Sequence, residues 1–339
     1  MDTTERRSSQ WINGGTMALA FADFWVWDFW LADDGARFHL FFLHAPKSLG
    51  DANLRHRNAQ IGHATSNDLR RWDYHGVALG PGAAGDFDET ATWTGSVVRG
   101  PDAVWRMFYT GTRFLRPDAF PNVETIGVAT STDLFSWTKA PGPILRADAR
   151  WYETLGSSSW PEEAWRDPWV FSDKLGRRWH MLITARSNHG LDLGRGVIGY
   201  ATSEDLQTWT AEPPLSAPQA GFAHLEVPQL IEMDGRHILL FCCNAARLTN
   251  DRTGSIGGIW AAPALGPTGP FDTARAKLLL PERYYAGRAV RDRRGDWMLM
   301  AFDAEADDGT FPGTITDPMS LRLDADGLPS VISPMRAAS

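Results

Sequence analysis

The chain has 339 residues and carries 33 Lys and Arg against 41 Asp and Glu, a formal net charge of −8 with no long run of either sign. Nucleic acids and anionic membranes require concentrated Lys and Arg, so neither is expected as a partner, and a small neutral or polar ligand fits better. The only cysteines, Cys242 and Cys243, are adjacent, which argues against an ordinary disulfide or a metal cluster, and no apolar stretch is long enough to cross a bilayer as a helix.

This length admits one large closed all-β domain or two smaller domains. With 16 Trp and 17 Phe the chain can fill a large core and also wall a pocket with aromatic rings. The N-terminal M-D-T-T-E-R-R-S-S-Q lacks the basic-then-apolar pattern of a signal peptide, so a cytoplasmic location is expected, with residues 1–20 as an N-terminal extension.

From residue 21 the elements recur. The first unit holds W-V-W-D-F-W (25–30), a turn at Asp33-Asp34-Gly35, F-H-L-F-F from Phe38 and I-G-H-A-T-S-N-D-L-R-R-W (61–72). The second holds W-T-G-S-V-V (93–98), W-R-M-F-Y-T from Trp105 and I-G-V-A-T-S-T-D-L-F-S-W (126–137). The third holds W-R-D-P-W-V-F (165–171), R-W-H-M-L-I-T from Arg178 and I-G-Y-A-T-S-E-D-L-Q-T-W (198–209). In the fourth, H-L-E-V-P-Q-L (224–230), a turn at Asp234-Gly235 and R-H-I-L-L-F from Arg236 precede a degenerate G-G-I-W-A-A-P (257–263). The fifth has Y-Y-A-G-R-A-V (284–290), a turn at Arg294-Gly295 and D-W-M-L-M-A-F from Asp296.

Each unit reads as strand, hairpin, strand, turn, strand, and the pattern returns about every sixty to seventy residues with no amphipathic helical period between copies. The expected fold is therefore all-β, a five-bladed β-propeller over residues 21–335, with no Pro, Gly or Ser-rich linker to divide it. A β-sandwich with coincidental internal similarity is the alternative.

In a propeller the first strand of every blade lines the central channel, so the polar residues of those five segments converge. Asp28, Asp167 and Glu226 each place a carboxylate in an apolar or aromatic stretch, where an ionised group costs several kcal/mol, roughly, unless it is bonded. Ordinary readings exist: a strand cap or turn for Asp28, pairing with Arg166 and a Pro168 turn for Asp167, a solvated strand position for Glu226. Convergent carboxylates are also what glycosidic cleavage requires, one to attack or to activate water and one to protonate the leaving oxygen. An apolar, like-charged setting raises a carboxyl pKa, and Trp faces stack on sugar rings. His44, His63 and His224 are further candidates for the channel mouth. The segment Asp324-Ala-Asp326-Gly327 reads as a turn, and no metal or cofactor site is expected.

Taken together, F-H-L-F-F-L-H-A-P (38–46), G-H-A-T-S-N-D-L-R-R-W (62–72), W-T-G-S-V-V, R-D-P-W-V-F, L-E-V-P-Q-L and Y-Y-A-G-R-A-V resemble, in order, the catalytic propeller of glycoside hydrolase family 32, with relatives in the levansucrase and arabinanase families. The resemblance implies Asp28 as nucleophile, Asp167 as transition-state stabiliser and Glu226 as general acid/base of a retaining β-fructofuranosidase. It also implies that Trp93, Ser96, Arg166 and Tyr285 shape the sugar pocket, and Trp27 and Trp30 flank the nucleophile as expected ring contacts. The chain departs from the family pattern at V-W-D-F-W, at Leu43 where Gln is usual, and at Val227 and Gln229 where Cys and Asp are usual. It ends soon after the fifth unit, so the β-sandwich that follows most family propellers is not expected. Two other functions fit the same residues: an inverting arabinan- or xylan-type furanosidase, in which Asp28 activates water, and a non-catalytic sugar-binding propeller.

Overall fold

A computed structural model describes residues 19–332 except Lys174. The expected extension 1–20 lies outside the described residues save for Leu19 and Ala20, as do 333–335 at the far end of the expected domain.

Five antiparallel sheets follow one another along the chain. The first is β1 (Phe24–Asp33), β2 (Phe38–Pro46), β3 (Gln60–Ser66) and β4 (Asp73–Leu79). The second is β5 (Ala91–Arg99), β6 (Trp105–Phe114), β7 (Asn122–Ser131) and β8 (Thr138–Lys139), with the short β9 (Glu162–Glu163) running parallel to β7. The third is β10 (Trp165–Ser172), β11 (Trp179–Arg186), β12 (Gly196–Ser203) and β13 (Thr210–Glu212). The fourth is β14 (Glu226–Met233), β15 (Arg236–Cys243), β16 (Gly258–Ala264) and β17 (Lys277–Pro281). The fifth is β18 (Tyr284–Arg291), β19 (Trp297–Asp303), β20 (Thr314–Ile315), β21 (Met319–Leu323) and β22 (Pro329–Ile332), with β20 on β19 beside the main path.

The first strands β1, β5, β10, β14 and β18 pack side by side around one axis, and β18 returns to β1, so the sheets form the expected five-bladed propeller. Leu19 and Ile315 exchange backbone hydrogen bonds of 3.2 and 3.0 Å, and Val26 N–H donates to Gly313 O, which ties the start of the described chain to the last blade. No helix among the described residues is long and apolar enough to cross a membrane.

The core is a ring of sheet-on-sheet layers rather than one central mass. Second strands such as β2 and β11 are buried on both faces because each lies between two neighbouring blades, while the edge strand β4 alternates toward solvent. Phe108 of the second blade meets Trp209 of the third edge-on at 5.3 Å.

The repeated letters have physical causes. The Gly of each Ile-Gly pair sits where a side chain has no room: a Cβ at Gly62 would fall 2.6 Å from the Phe42 ring, and one at Gly199 2.8 Å from Ala185 Cβ. The Ser-x-Asp-Leu run is the turn that ends each third strand. Ser66, Ser131 and Ser203 accept the N–H of Leu69, Leu134 and Leu206 at 2.9 Å, and Asp68, Asp133 and Asp205 accept the next two amides. The three leucines adopt φ of 64, 68 and 62°, the left-handed region, and all three side chains are buried. The fourth and fifth blades lack this turn, which is why the repeat fades there.

At Leu134 two effects compete. Left-handed strain costs about 1–3 kcal/mol, whereas deleting a buried Leu side chain costs about 2–5 kcal/mol. Leu134→Gly is therefore expected to destabilise despite relieving the backbone, and Asp133→Ala to cost about 1 kcal/mol for two orphaned amides. Urea unfolding at one pH measures both, and a gain for Leu134→Gly would contradict the ranking.

Candidate active site

Every inner strand breaks its pairing register at the same level. The slips fall between Trp27 and Phe29, Trp93 and Gly95, Arg166 and Trp169, Glu226 and Gln229, and Tyr285 and Arg288. Such bulges re-aim side chains and free backbone groups from the ladder. The residues left unpaired are Asp28, Thr94, Asp167 with Pro168, Val227 with Pro228, and Ala286 with Gly287. Asp167, Val227 and Ala286 adopt left-handed φ of 58, 53 and 48°, which non-glycine residues rarely accept and which clusters at functional sites.

The bulges surround a cavity of about 440 Å³ at one end of the axis, lined among others by Trp27, Asp28, Trp93, Arg166, Asp167, Glu226 and Tyr285. A larger cavity of about 530 Å³ lies off the axis on the second blade, lined by Asp88, Arg113, Lys139 and Arg146, away from these carboxylates. The structure thus brings together the three carboxylates singled out from the sequence, along with Trp27, Trp93, Arg166 and Tyr285. Trp30 and Ser96 stand apart from that group. Beyond the bulge at Asp28 the alternation is reset, so Trp30 turns into the core, fully buried and stacked 6.3 Å from Phe41. Ser96 Oγ accepts the Val170 N–H at 3.0 Å and clips the second blade to the third. Of the histidines, His224 lines the cavity, His63 pairs with His39 at 2.9 Å within the first blade, and His44 is buried near the end of β2.

The carboxylates are held by different partners. Thr94 Oγ1 donates to Asp28 Oδ2 at 2.5 Å. Asp167 Oδ2 accepts from Thr184 Oγ1 at 2.8 Å and from the freed Val227 N–H at 3.0 Å, while its own N–H donates to Thr110 Oγ1. Glu226 accepts from Arg166 Nη2 at 2.8 Å on Oε1 and from Tyr285 OH at 2.5 Å on Oε2, with His224 Nε2 at 3.2 Å. Arg166 also reaches Glu124 at 3.0 Å and Glu162 at 3.1 Å, so one guanidinium faces several carboxylates.

These surroundings push the carboxyls apart. Burial, reinforced by the charges of Asp167 and Glu226 and opposed by the Thr94 bond, raises Asp28 to about 7. Burial also raises Asp167, with Arg166 in opposition. For Glu226 burial is outweighed by His224, Arg166 and Tyr285, and its pKa falls to about 2. The ligand-free site therefore keeps its proton on Asp28 and leaves Glu226 ionised. That order is the reverse of what a nucleophile at Asp28 and a proton donor at Glu226 need at the start of a reaction.

Several participants were missed in the sequence. Glu124 is buried, lines the cavity, accepts from Trp165 N–H, and is raised to about 8 by burial. It stands in N-V-E-T-I-G, where the polar Asn122 and Thr125 make the carboxylate read as an ordinary strand position. Arg288 is fully buried on the axis. It donates from Nε to Phe29 O at 3.1 Å and from Nη1 to Val227 O and Pro228 O at 3.3 and 2.8 Å, joining three blades below the carboxylates. Thr94, Thr110 and Thr184 carry no sequence signal, since a Thr in a strand is ordinary. Leu43, expected as a polar Gln, does line the cavity, as does Val227, whereas Gln229 bonds across to the Ala289 backbone. Among the described residues no group of three His, Cys, Asp or Glu is arranged to hold a metal ion.

The raised Asp28 has a consequence for folding. A carboxyl whose pKa is higher folded than unfolded contributes stability below its unfolded value of 3.8, and loses it as pH rises through about 7. Asp28→Asn keeps the shape and never ionises. Its unfolding free energy is expected to gain on that of the wild type between pH 5 and pH 8, by on the order of a few kcal/mol at the alkaline end, as read by urea unfolding at each pH; a difference independent of pH would contradict the burial argument.

Known proteins resemble this chain in sequence and in fold. The family model described as the glycosyl hydrolases family 32 N-terminal domain matches residues 31–312. The chain is 26% identical over 255 residues to a sucrose-6-phosphate hydrolase of Zymomonas mobilis, a match covering 71% of this chain and 46% of that protein. It is 30% identical over 211 residues to a raffinose invertase of Escherichia coli, covering 60% and 38%. The chain thus spans about half the length of the curated relatives it matches, or less. Among solved structures, an inulosucrase from Halalkalicoccus jeotgali bound to kestose superposes with a TM-score of 0.77 at 19% identity, covering 97% of this chain and 94% of that one. A Microbacterium saccharophilum β-fructofuranosidase catalytic domain gives 0.74 at 17% identity, covering 94% and 83%. At such identities the likeness is one of fold.

Proposed function

The chain belongs to glycosyl hydrolases family 32, and on that footing we propose that it hydrolyses terminal β-D-fructofuranosides with Asp28 as nucleophile, Glu226 as acid/base and Asp167 as stabiliser. The observation that carries this reading is the convergence of three carboxylates, from bulges on three different blades, on one aromatic-walled cavity. A non-catalytic sugar-binding propeller has no use for such a group of carboxylates. The relatives named as a sucrose-6-phosphate hydrolase and a raffinose invertase support the same class of substrate.

In the first step an Asp28 oxygen attacks the anomeric carbon, the bond to the aglycone oxygen breaks, and the Glu226 proton passes to that oxygen. In the second, the Glu226 carboxylate takes a proton from water, the water oxygen bonds to the anomeric carbon, and the bond to Asp28 breaks. Asp167 takes its two donors on Oδ2, which leaves Oδ1 for sugar hydroxyls. Arg166 and Tyr285 hold Glu226 in place and favour its ionised form, the one required in the second step.

The reversed proton order fits if the pair is treated as holding one proton between its two apparent pKa values. The productive microstate, Asp28 ionised and Glu226 protonated, has the same proton count as the ligand-free one. It is favoured as positive charge develops on the furanose beside Asp28 and the leaving oxygen accepts from Glu226. The free enzyme then acts only in its singly protonated window, so kcat/KM is expected to fall about tenfold per pH unit above about 7. A kcat/KM that rises through that pH would remove the single-proton scheme.

The roles separate under mutation. Asp28→Asn is expected to abolish turnover of sucrose and of an activated aryl fructofuranoside alike, whereas Glu226→Gln retains the aryl substrate, whose leaving group needs no proton, and responds to azide. Equal losses without azide rescue would overturn the assignment, and the configuration of the first-formed product, read by NMR, separates retaining from inverting chemistry. A higher kcat/KM for arabinofuranosides than for fructofuranosides would favour the furanosidase alternative on the same scaffold.

A further inference from the structure

The loop between β6 and β7 places Phe120 on the rim of the catalytic cavity with 77% of its surface exposed, in contrast to the nearly buried Asp167 and Thr94 at the floor. Single exposed apolar residues are common on protein surfaces, but this one is built in place. Asn122 Nδ2 donates to Phe120 O at 3.1 Å, and Leu115 N–H donates to Pro121 O at 3.0 Å. Arg57, from the short helical turn Ala52–Asn58 of the first blade, donates to Arg116 O at 3.0 Å and to Ala119 O, and lies 3.9 Å over the Phe114 ring. The ring is thus exposed while the backbone beneath it is tied down from two blades.

The same helical turn supplies Arg55 and His56 to the cavity wall. His56 stacks on Trp27 at 6.3 Å and meets Trp93 edge-on at 6.3 Å, and Trp93 meets Phe114 edge-on at 6.0 Å. Aromatic rings therefore run without a gap from Trp27, beside Asp28, through His56, Trp93 and Phe114 to the Arg57-latched loop that bears Phe120. The arginines of the mouth are covered in turn: Arg55 lies 4.1 Å over Phe311 and donates to Ala52 O, and Arg247 lies 4.6 Å over Trp160. A wall of this kind suits the C–H faces of uncharged sugar rings, and its solvent end meets the part of the substrate farthest from the cleaved bond.

Resting on the fructofuranosidase reading, we propose that Phe120 is a specificity residue, a platform for the distal ring of an uncharged oligosaccharide fructoside of three or more units. The inner wall formed by Trp27, His56 and Trp93 serves the unit next to the cleaved bond, so a disaccharide does not reach Phe120 and a trisaccharide does.

The test compares Phe120→Ala with the wild-type chain on sucrose and on its tri- and tetrasaccharide fructosyl homologues. The expected result is a loss of about three- to tenfold in kcat/KM on the two longer substrates, carried by KM with kcat unchanged, a change within about twofold on sucrose, and recovery in Phe120→Tyr. An equal loss on all three substrates, or no loss on any, in a protein whose wild type cleaves them overturns the platform alone. A wild type inert on all three overturns the fructofuranosidase reading and the platform with it.

Discussion

A carboxylate brought to the axis of this propeller needs hydrogen-bond donors aimed at it, which a first strand in regular register does not direct to that point. The bulge in each first strand resolves this. At Val227 it releases an N–H to Asp167, and at Asp167 it turns the N–H to Thr110, so the groups that lose ladder partners become those that hold the site. Thr110 Oγ1 donates onward to Thr94 O, and Thr184 Oγ1 bonds both Asp167 and Leu225 O, so the axis is a connected network crossing the first four blades. Arg288 closes it from below by binding carbonyls of the first and fourth blades. The Arg288 Nη2 atom finds no acceptor among the described residues, and burial lowers the Arg288 pKa to about 10, with the charge of Asp167 in partial opposition.

The cost of this arrangement is spread through the scaffold. Left-handed backbone at Asp167, Val227 and Ala286, together with buried like charges, destabilises the axis, and the apolar layers between blades carry the fold in compensation. Those layers depend on tight approach at the Ile-Gly strands and on leucines driven inward by the capped turns. Rigidity around the rim and strain at the centre are therefore two sides of one construction.

Electrostatics refine what proximity alone suggests. Three carboxylates near one another do not divide their protons according to the roles a mechanism needs. Burial raises Asp28 while His224, Arg166 and Tyr285 together outweigh burial at Glu226, so in the ligand-free site the proton resides on Asp28. Arg166 thus favours the ionised form of Glu226, and its further bonds to Glu124 and Glu162 fix the direction in which it points.

The recurrence of Ile-Gly and Ala-Thr-Ser-x-Asp-Leu, the five inner segments and the isolated carboxylates at Asp28, Asp167 and Glu226 were all legible in the sequence. Each reflects a local requirement: a close approach, a capped turn, or a charge that an apolar strand tolerates only for a reason. Trp30 and Ser96 were misplaced because alternation along a strand holds only between bulges, and a bulge is set by the partner strand and the curvature of the blade. Glu124, Thr110, Thr184 and Arg288 came into view only in three dimensions, since their partners lie tens to hundreds of residues away in the chain, and Phe120 because only the fold places its loop on the cavity rim. The sequence by itself determined the blades and the identity of the central carboxylates. Tertiary structure alone decided which donors meet each carboxylate, and hence where the proton rests, because those donors come from neighbouring blades whose distance along the chain bears no relation to their distance in space.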